Sequence, residues 1–234
     1  MTLKTLTPIE ARVLGTLMEK ARTVPDSYPL SLNALVSGCN QKTSRDPLME
    51  VGDDEARAAI DTLKSQSLVF EGSSSRVPRF EHNLPRAAGV NEMQSVVIGL
   101  LLLRGPQTPA ELRTSGERWY KFSDAGAVEA VLQELQQRGD DGGQALVLKL
   151  PRAPGAREQR WVHLLCGEPD ISALVASAPA ASEAGDLLAR VTALENSVAR
   201  LRADNAQLRE HIRSISGQLG IALPDLDAEA PVAG

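Results

Sequence analysis

The residue types that most often carry enzyme chemistry are sparse in this chain and are not arranged for it. His82, His163 and His211 lie in separate regions without the paired spacing of a metal site, so we expect no metal ion. Cys39 follows an apolar stretch, where a buried small residue is a more common role than a nucleophile. The sequence contains no phosphate-binding or dinucleotide-binding glycine loop and no GxSxG motif. We therefore expect a protein that is not an enzyme and that binds no cofactor.

Basic side chains, in contrast, gather in a few loops where contact with phosphate is feasible. Arginine in a hairpin loop suits phosphate or minor-groove contacts. Charge at a hairpin also prevents edge-to-edge pairing of strands, so both interpretations stay open. Lys149 and Arg86 flank these loops, and Lys121 follows Trp119 and Tyr120. The candidate nucleic-acid-binding residues are Gln41, Lys42, Arg45, Arg76, Arg79, Arg113, Arg118, Arg152, Arg157 and Arg160.

The polar segment NQKTSRDP at 40–47 also has two interpretations. In one, its side chains form a functional surface. In the other, Asp46 pairs with Arg45 or caps a turn, and the segment closes on itself.

The first half of the chain reads as three helices followed by two strands. Thr7, Pro8 and Glu10 form a capping signature at the start of the first helix. Ser31 is positioned to cap a second, short helix. The third helix is DDEARAAIDTLKSQS, and the strand-like pieces LVF and RVPRFEH follow it around the loop EGSSS.

The second half repeats this order. An apolar helix over about 91–104 precedes TPAEL, which reproduces the capping signature, and DAGAVEAVLQELQQR then supplies the third helix. The strands ALVLKL and RWVHLLC flank the turn PRAPGARE. The pattern of three helices and a two-stranded wing occurs twice. It predicts an α+β, mainly helical fold with two tandem winged-helix domains. The buried positions Ala56, Ala59, Ile60 and Leu63 correspond, 72 residues later, to Val128, Val131, Leu132 and Leu135.

Both third helices begin with acidic residues. Asp53, Asp54 and Glu55 start one of them, and Asp124 and Glu129 lie at the start of the other. Phosphate would repel these side chains, which argues against either helix as an ordinary DNA reader. Helix capping and compensation of the helix dipole are the alternative explanation.

A heptad pattern runs over 187–219 and predicts a parallel two-stranded coiled coil. β-branched residues at a with Leu at d favour a dimer, and Asn205 at a central a position fixes the register. Arg190 with Glu195, and Asp204 with Arg209, would pair between the strands. The alternative is one amphipathic helix packed on its own domain. The predicted interface is Leu187, Val191, Leu194, Val198, Leu201, Asn205, Leu208, Ile212, Ile215 and Leu219.

These patterns divide the chain into five segments. The first winged-helix domain is expected at 1–88 and the second at 89–167. An Ala/Ser/Pro-rich linker at 168–185, the coiled coil at 186–220 and a disordered tail at 221–234 follow.

Four segments resemble the signature segments of the YceH-like family of uncharacterised bacterial proteins: LVSGCNQKTSRDPLMEV, RVPRFEH, LLLRGPQTPAELR and PGAREQRWVHL. The resemblance covers about residues 5–167, and the heptad segment is similar to that family's usual C-terminal extension. It implies a tandem winged-helix fold and brings no established activity.

Charge and hydropathy limit the compartments and binding partners that suit this chain. Residues 1–167 hold 20 Lys and Arg against 20 Asp and Glu, so the net charge of −5 comes entirely from the C-terminal segment. A neutral body leaves room for local basic patches. The longest apolar run, 96–103, is too short to cross a membrane, the start has no apolar signal core, and two distant cysteines suit a reducing compartment. We expect a cytoplasmic protein without membrane contact.

Two functions remain open from the sequence. In the first, a homodimer binds DNA, with regulation as one role open to it, and basic wings contact phosphate. In the second, the tandem winged helices form an adaptor that binds another protein, like those of chromosome-organising complexes.

Overall fold

The structure of the protein, a computed structural model, describes residues 3–72, 77–139, 143–153 and 156–171, together with Leu208. This part is mixed α+β, with about half of its residues in helices. The chain divides into two units, and every element below belongs to the first, Met1–Ala180. The predicted coiled coil and tail, apart from Leu208, lie outside the described residues, as does most of the predicted linker.

The first half of the described chain contains four helices and three strands. The three predicted helices and both predicted strands are confirmed, with small shifts of their ends. The elements are α1 (Pro8–Thr23), β1 (Leu30–Ser31), α2 (Leu32–Cys39), α3 (Asp53–Ser65), β2 (Val69–Gly72), β3 (Arg79–His82) and α4 (Leu84–Ala88).

The second half repeats the order of helix, helix, helix, strand, strand. Its described elements are α5 (Glu92–Arg104), α6 (Pro109–Gly116), α7 (Ala125–Gln137), β4 (Val147–Lys149) and β5 (Trp161–His163).

Side-chain caps set the starts of the main helices. The Thr7 hydroxyl accepts the Glu10 N–H, and the Glu10 carboxylate accepts the Thr7 N–H at 2.8 Å. Thr108 and Glu111 repeat this reciprocal pair at α6. Each pair satisfies N–H groups that have no partner inside the helix, so the capping predictions are confirmed.

The strands form two small antiparallel sheets. The first has the order β1-β3-β2, with Leu30 opposite Phe80 and Val69 opposite His82. The second pairs β4 with β5. In the second half an isolated bridge between Gln107 and Trp161 lies just before α6, the place that β1 takes before α2.

Helices α1 and α5 pack against each other and join the two halves through one hydrophobic core. Gly15 of α1 lies against Leu102 and Leu103, and Gly99 of α5 lies against Met18, so the two helices are antiparallel. Glycine on each helix lets the backbones approach closely, because no Cβ separates them.

Gly99 provides a test of this packing. A Cβ on residue 99 would lie 2.7 Å from Trp119 Cζ3 and 3.1 Å from Met18 Cε. Helix propensity alone predicts that Gly99→Ala stabilises the protein by about 1 kcal/mol. We expect the opposite sign, a loss of about 1–3 kcal/mol from overpacking, in urea unfolding followed by circular dichroism. A more stable Ala variant would contradict the close packing.

Two short elements were not predicted, β1 and α4, whereas the turn expected at VPDSYP is present and contains a 3₁₀ helix at Pro25–Ser27. A strand of two residues and a helix of five are too short to show a hydrophobic period. Helix α4 ends at Gly89, whose φ of 61° is the left-handed conformation common at helix ends.

Candidate nucleic-acid interface

The acidic side chains of helix α7 and of its N-cap are each held by a contact within the protein, and Glu129 is neutralised by an ion pair. Asp124 caps the helix by accepting the Ala127 N–H at 2.8 Å. Glu129 pairs with Lys149 at 2.8 Å, and Glu134 accepts the Gln94 side-chain amide at 3.1 Å. The acidic start that the sequence shows therefore serves capping and pairing at this helix. The remaining exposed side of α7 carries small and amide residues, Gly126, Ala130, Gln133 and Gln137.

Exposed cations lie before α7 and in the connection between β4 and β5. Arg113, Arg118 and Lys121 are on or just after α6, and Arg152 and Arg157 are in the β4–β5 connection. None of these five residues makes a hydrogen bond or an ion pair with another described residue. Their charges are therefore available to an external anion.

Two other cations of the second half hold the sheet in place. Arg160 donates to Glu111 at 2.7 Å and to the Pro106 carbonyl at 3.0 Å. Lys149, besides its pair with Glu129, lies 5.3 Å from the centre of the Trp161 ring. In this arrangement Arg160 ties β5 to the start of α6 instead of extending into solvent.

Helix α3 differs from α7 in charge. Asp53, Asp54 and Asp61 are exposed, and Arg57 is the exposed cation among them. Glu55 caps the helix by accepting the Gly52 N–H at 2.8 Å. The outer face of α3 is therefore anionic, which disfavours contact with phosphate.

The sheet of the first half offers few free cations among its described residues. Arg79 is exposed but donates to the Pro29 carbonyl at 2.8 Å. Arg86 is exposed on α4, and Arg76 lies outside the described residues.

Arg45, a predicted nucleic-acid contact, lies inside the protein. Its side chain is 0% exposed and pairs with Glu19 of α1 at 2.6 Å, and it also donates to the Gly38 carbonyl. The pair is formed with Glu19 and not with the neighbouring Asp46 that the sequence suggested. Burial raises the pKa of Glu19, but the hydrogen bond and charge of Arg45 outweigh this effect and hold it below its ordinary value.

A second buried guanidinium supports the same loop, residues 40–52. Arg12 of α1 is 1% exposed and donates to the Cys39 carbonyl at 3.2 Å and the Pro47 carbonyl at 2.5 Å. Asn40 closes the loop by donating to and accepting from the Val51 backbone. These bonds give the loop a defined shape.

The outer part of this loop contains Gln41 and Lys42. The Gln41 side-chain oxygen accepts from Lys20 at 3.3 Å and from Arg45 at 3.1 Å. Lys42 is exposed, with Glu50 4.0 Å away. Arg104, at the end of α5, donates to the Ser44 hydroxyl at 2.7 Å.

The histidine and cysteine side chains of the described residues are held neutral. Burial lowers the pKa of His163 to about 4, and burial together with Arg22 lowers the pKa of His82 to about 4. Burial also raises the pKa of Cys39, and it raises that of Cys166 to about 11. In the described ranges, no group of three or more His, Cys, Asp and Glu could hold a metal ion.

Of the predicted dimer interface, only Leu208 belongs to the described residues. It is helical and 60% exposed. The other nine positions lie outside them.

Across the part of the chain that the structure describes, no helix has the length and apolar character that crossing a bilayer requires.

Comparison with known proteins identifies relatives over nearly the whole length. A family model described as "Protein of unknown function, DUF480" matches residues 6–156. A "UPF0502 protein" of a Polaromonas species is 83% identical over 225 residues, covering 96% of this chain and 95% of that protein. Those of Delftia acidovorans and Burkholderia multivorans are 53% and 52% identical, over 94% and 98% of this chain and 94% and 93% of theirs.

Proposed function

We propose that this chain, which belongs to the DUF480 family of bacterial proteins of unknown function, is a dimeric DNA-binding protein that contacts DNA through its second half. One observation carries the proposal: unpaired cations lie before α7 and in the β4–β5 connection, while the acidic groups of α7 are occupied. The resemblance stated from the sequence is confirmed at the level of the family.

The element order supports the finer proposal of two tandem winged-helix domains. The first half runs α1, β1, α2, α3, β2, β3 with the sheet order β1-β3-β2. The second half runs α5, α6, α7, β4, β5, and the Gln107–Trp161 bridge takes the place of a first strand. In this fold the third helix enters the major groove and the wing contacts the backbone.

Within this proposal the two halves have different roles. Helix α7 is the reading helix, and Gln133 is placed on its exposed face, where an amide can recognise adenine. Arg118, Arg152 and Arg157 contact phosphate. The anionic α3 does not enter a groove.

The proposal includes dimerisation through the heptads at 187–219. A second copy doubles the number of DNA contacts and raises affinity through effective concentration. We expect Leu201→Asp together with Leu208→Asp to halve the mass in sedimentation equilibrium, because charge at two d positions disrupts the seam. Ala206→Asp, at a heptad b position outside the a and d seam, is the control. An unchanged mass in the double variant would remove the coiled-coil dimer from the proposal.

A second function, a protein-binding adaptor, is favoured by the exposed carboxylates of α3. Asp53, Asp54 and Asp61 offer a face for a basic partner. This alternative predicts that the protein binds duplex DNA no better than an acidic control protein does.

The test of DNA binding is a fluorescence-anisotropy titration of the full chain against a mixed-sequence duplex. At about 50 mM and 200 mM salt, phosphate contacts predict an affinity that falls steeply as salt rises. The dissociated Leu201/Leu208 variant should bind more weakly. If the protein does not bind the duplex at the lower salt concentration, the DNA-binding proposal is rejected and the protein-binding adaptor is the remaining function.

A further inference from the structure

The outer part of the loop 40–52 combines free hydrogen-bond donors with an excess of positive charge. We infer that Gln41–Ser44 forms a binding site for a phosphate group. The segment Gln41–Ser44 belongs to the first half and shares no residue with α7 or the β4–β5 connection, so this inference does not depend on the proposed function. A phosphate monoester or free phosphate and the phosphate of a nucleic-acid backbone share the chemistry that it would recognise.

The backbone supplies one set of donors. Among the described residues, none accepts a hydrogen bond from the N–H groups of Gln41, Lys42, Thr43 or Ser44. Ser44 has a φ of 60°, so the chain turns sharply within this segment. Successive free N–H groups in such turns commonly form concave anion sites.

The side chains supply donors as well. Because the Gln41 oxygen already accepts from Lys20 and Arg45, its amide N–H₂ group is left to donate. The Ser44 oxygen accepts from Arg104, which leaves its own O–H free. Lys42 and Thr43 are exposed and add an ammonium group and a hydroxyl. Together these groups exceed what the two oxygens of a carboxylate can accept, whereas a phosphate can use them.

The charges around the segment are predominantly positive. The cations are Arg12, Lys20, Lys42, Arg45 and Arg104.

Three carboxylates oppose these five cations. Glu19 pairs with both Arg45 and Lys20, and exposed Asp46 acts on Arg12. Glu50 lies 4.0 Å from Lys42. Arg12 itself is bonded to carbonyl oxygens and not to a carboxylate. Because buried charge is poorly screened, the excess raises the potential at the surface above it.

The experiment is a titration of the full chain, labelled with ¹⁵N, with inorganic phosphate at constant ionic strength. We expect saturable shifts of the amide signals of Lys42, Thr43 and Ser44. Lys42→Glu should raise the Kd for phosphate at least about tenfold, because it replaces a charged donor by a repelling carboxylate. Lys4→Glu makes the same change of charge at an exposed position outside the loop and should leave the Kd unchanged.

Absent or non-saturating shifts at these amides, or equal phosphate binding by Lys42→Glu, would overturn the site. Once saturable phosphate binding is seen, a second titration with duplex DNA distinguishes the two sources of phosphate. If Lys42→Glu also weakens duplex binding and lowers the salt slope by about 1, the site takes a DNA phosphate. If duplex affinity is unchanged, it takes a separate phosphate compound. The phosphate titration needs no DNA, so failure of the proposed DNA binding does not affect its outcome.

Discussion

Glu19→Gln is expected to lower the free energy of unfolding by about 3–5 kcal/mol, because it leaves the fully buried Arg45 guanidinium without a carboxylate. The Gly38 carbonyl still accepts from Arg45, but it cannot neutralise its charge. Arg12 lies close enough for the two guanidinium groups to repel each other. Urea unfolding at neutral pH, followed by circular dichroism, measures the loss.

Lys42→Ala, an exposed change in the same loop, is the matched control and should alter stability by less than about 0.5 kcal/mol. The pH dependence provides a second readout. The folded pKa of Glu19 is lowered, so its stabilisation is complete above the unfolded value of 4.5 and is lost as pH falls through the folded pKa. The free energy of unfolding of Glu19→Gln should therefore fall less than that of wild type as the pH is lowered through this range. Equal stability of Glu19→Gln and wild type would mean that the ion pair contributes nothing.

Changing Arg118, Arg152 and Arg157 together to Ala should weaken binding to a mixed-sequence duplex at least about hundredfold at low salt. All three are exposed and make no hydrogen bond with another described residue, so their loss should leave the fold intact. If each contacts one phosphate, the slope of log affinity against log salt should fall in magnitude by about 3. Anisotropy titrations at four salt concentrations would measure both quantities.

The matched control changes three exposed cations of the first half, Lys4, Arg57 and Arg86, to Ala. Net charge falls by the same amount, so a general electrostatic effect would weaken both variants equally. We expect the control to retain its affinity within about threefold. Equal losses in the two variants would mean that net charge governs binding, and would contradict specific phosphate contacts from Arg118, Arg152 and Arg157. Arg160 is left unchanged because it pairs with Glu111 and supports β5.

Most of the helices and strands of the described region were predictable because their signals are local. Capping residues such as Thr7 and Thr108 mark helix starts within four residues of sequence. The buried faces of α3 and α7 follow a period of 3.6 residues, and all eight predicted positions are buried. Both signals depend on a single element, so no tertiary contact is needed to read them.

The site was less predictable because its contacts join distant segments. Arg45 looks like a surface cation in sequence, and only the packing of α1 against the loop brings Glu19 to it, 26 residues away. One signal was present: Arg12 and Glu19 are charged residues within the apolar stretch of α1. Likewise, Glu129 of α7 looks like a free acid in sequence, and only the packing of β4 brings Lys149 to neutralise it, 20 residues away.

The close packing of α1 on α5 has a consequence for synthesis on the ribosome. The contact between Gly15 and Leu102 closes only after more than 80 further residues have been added to the chain. Until then, the face of α1 that will meet α5 has no partner, and apolar surface of this kind promotes aggregation of incomplete chains. Folding of the first half is therefore completed by the second, and the nascent protein passes through a stage in which chaperones have a surface to bind.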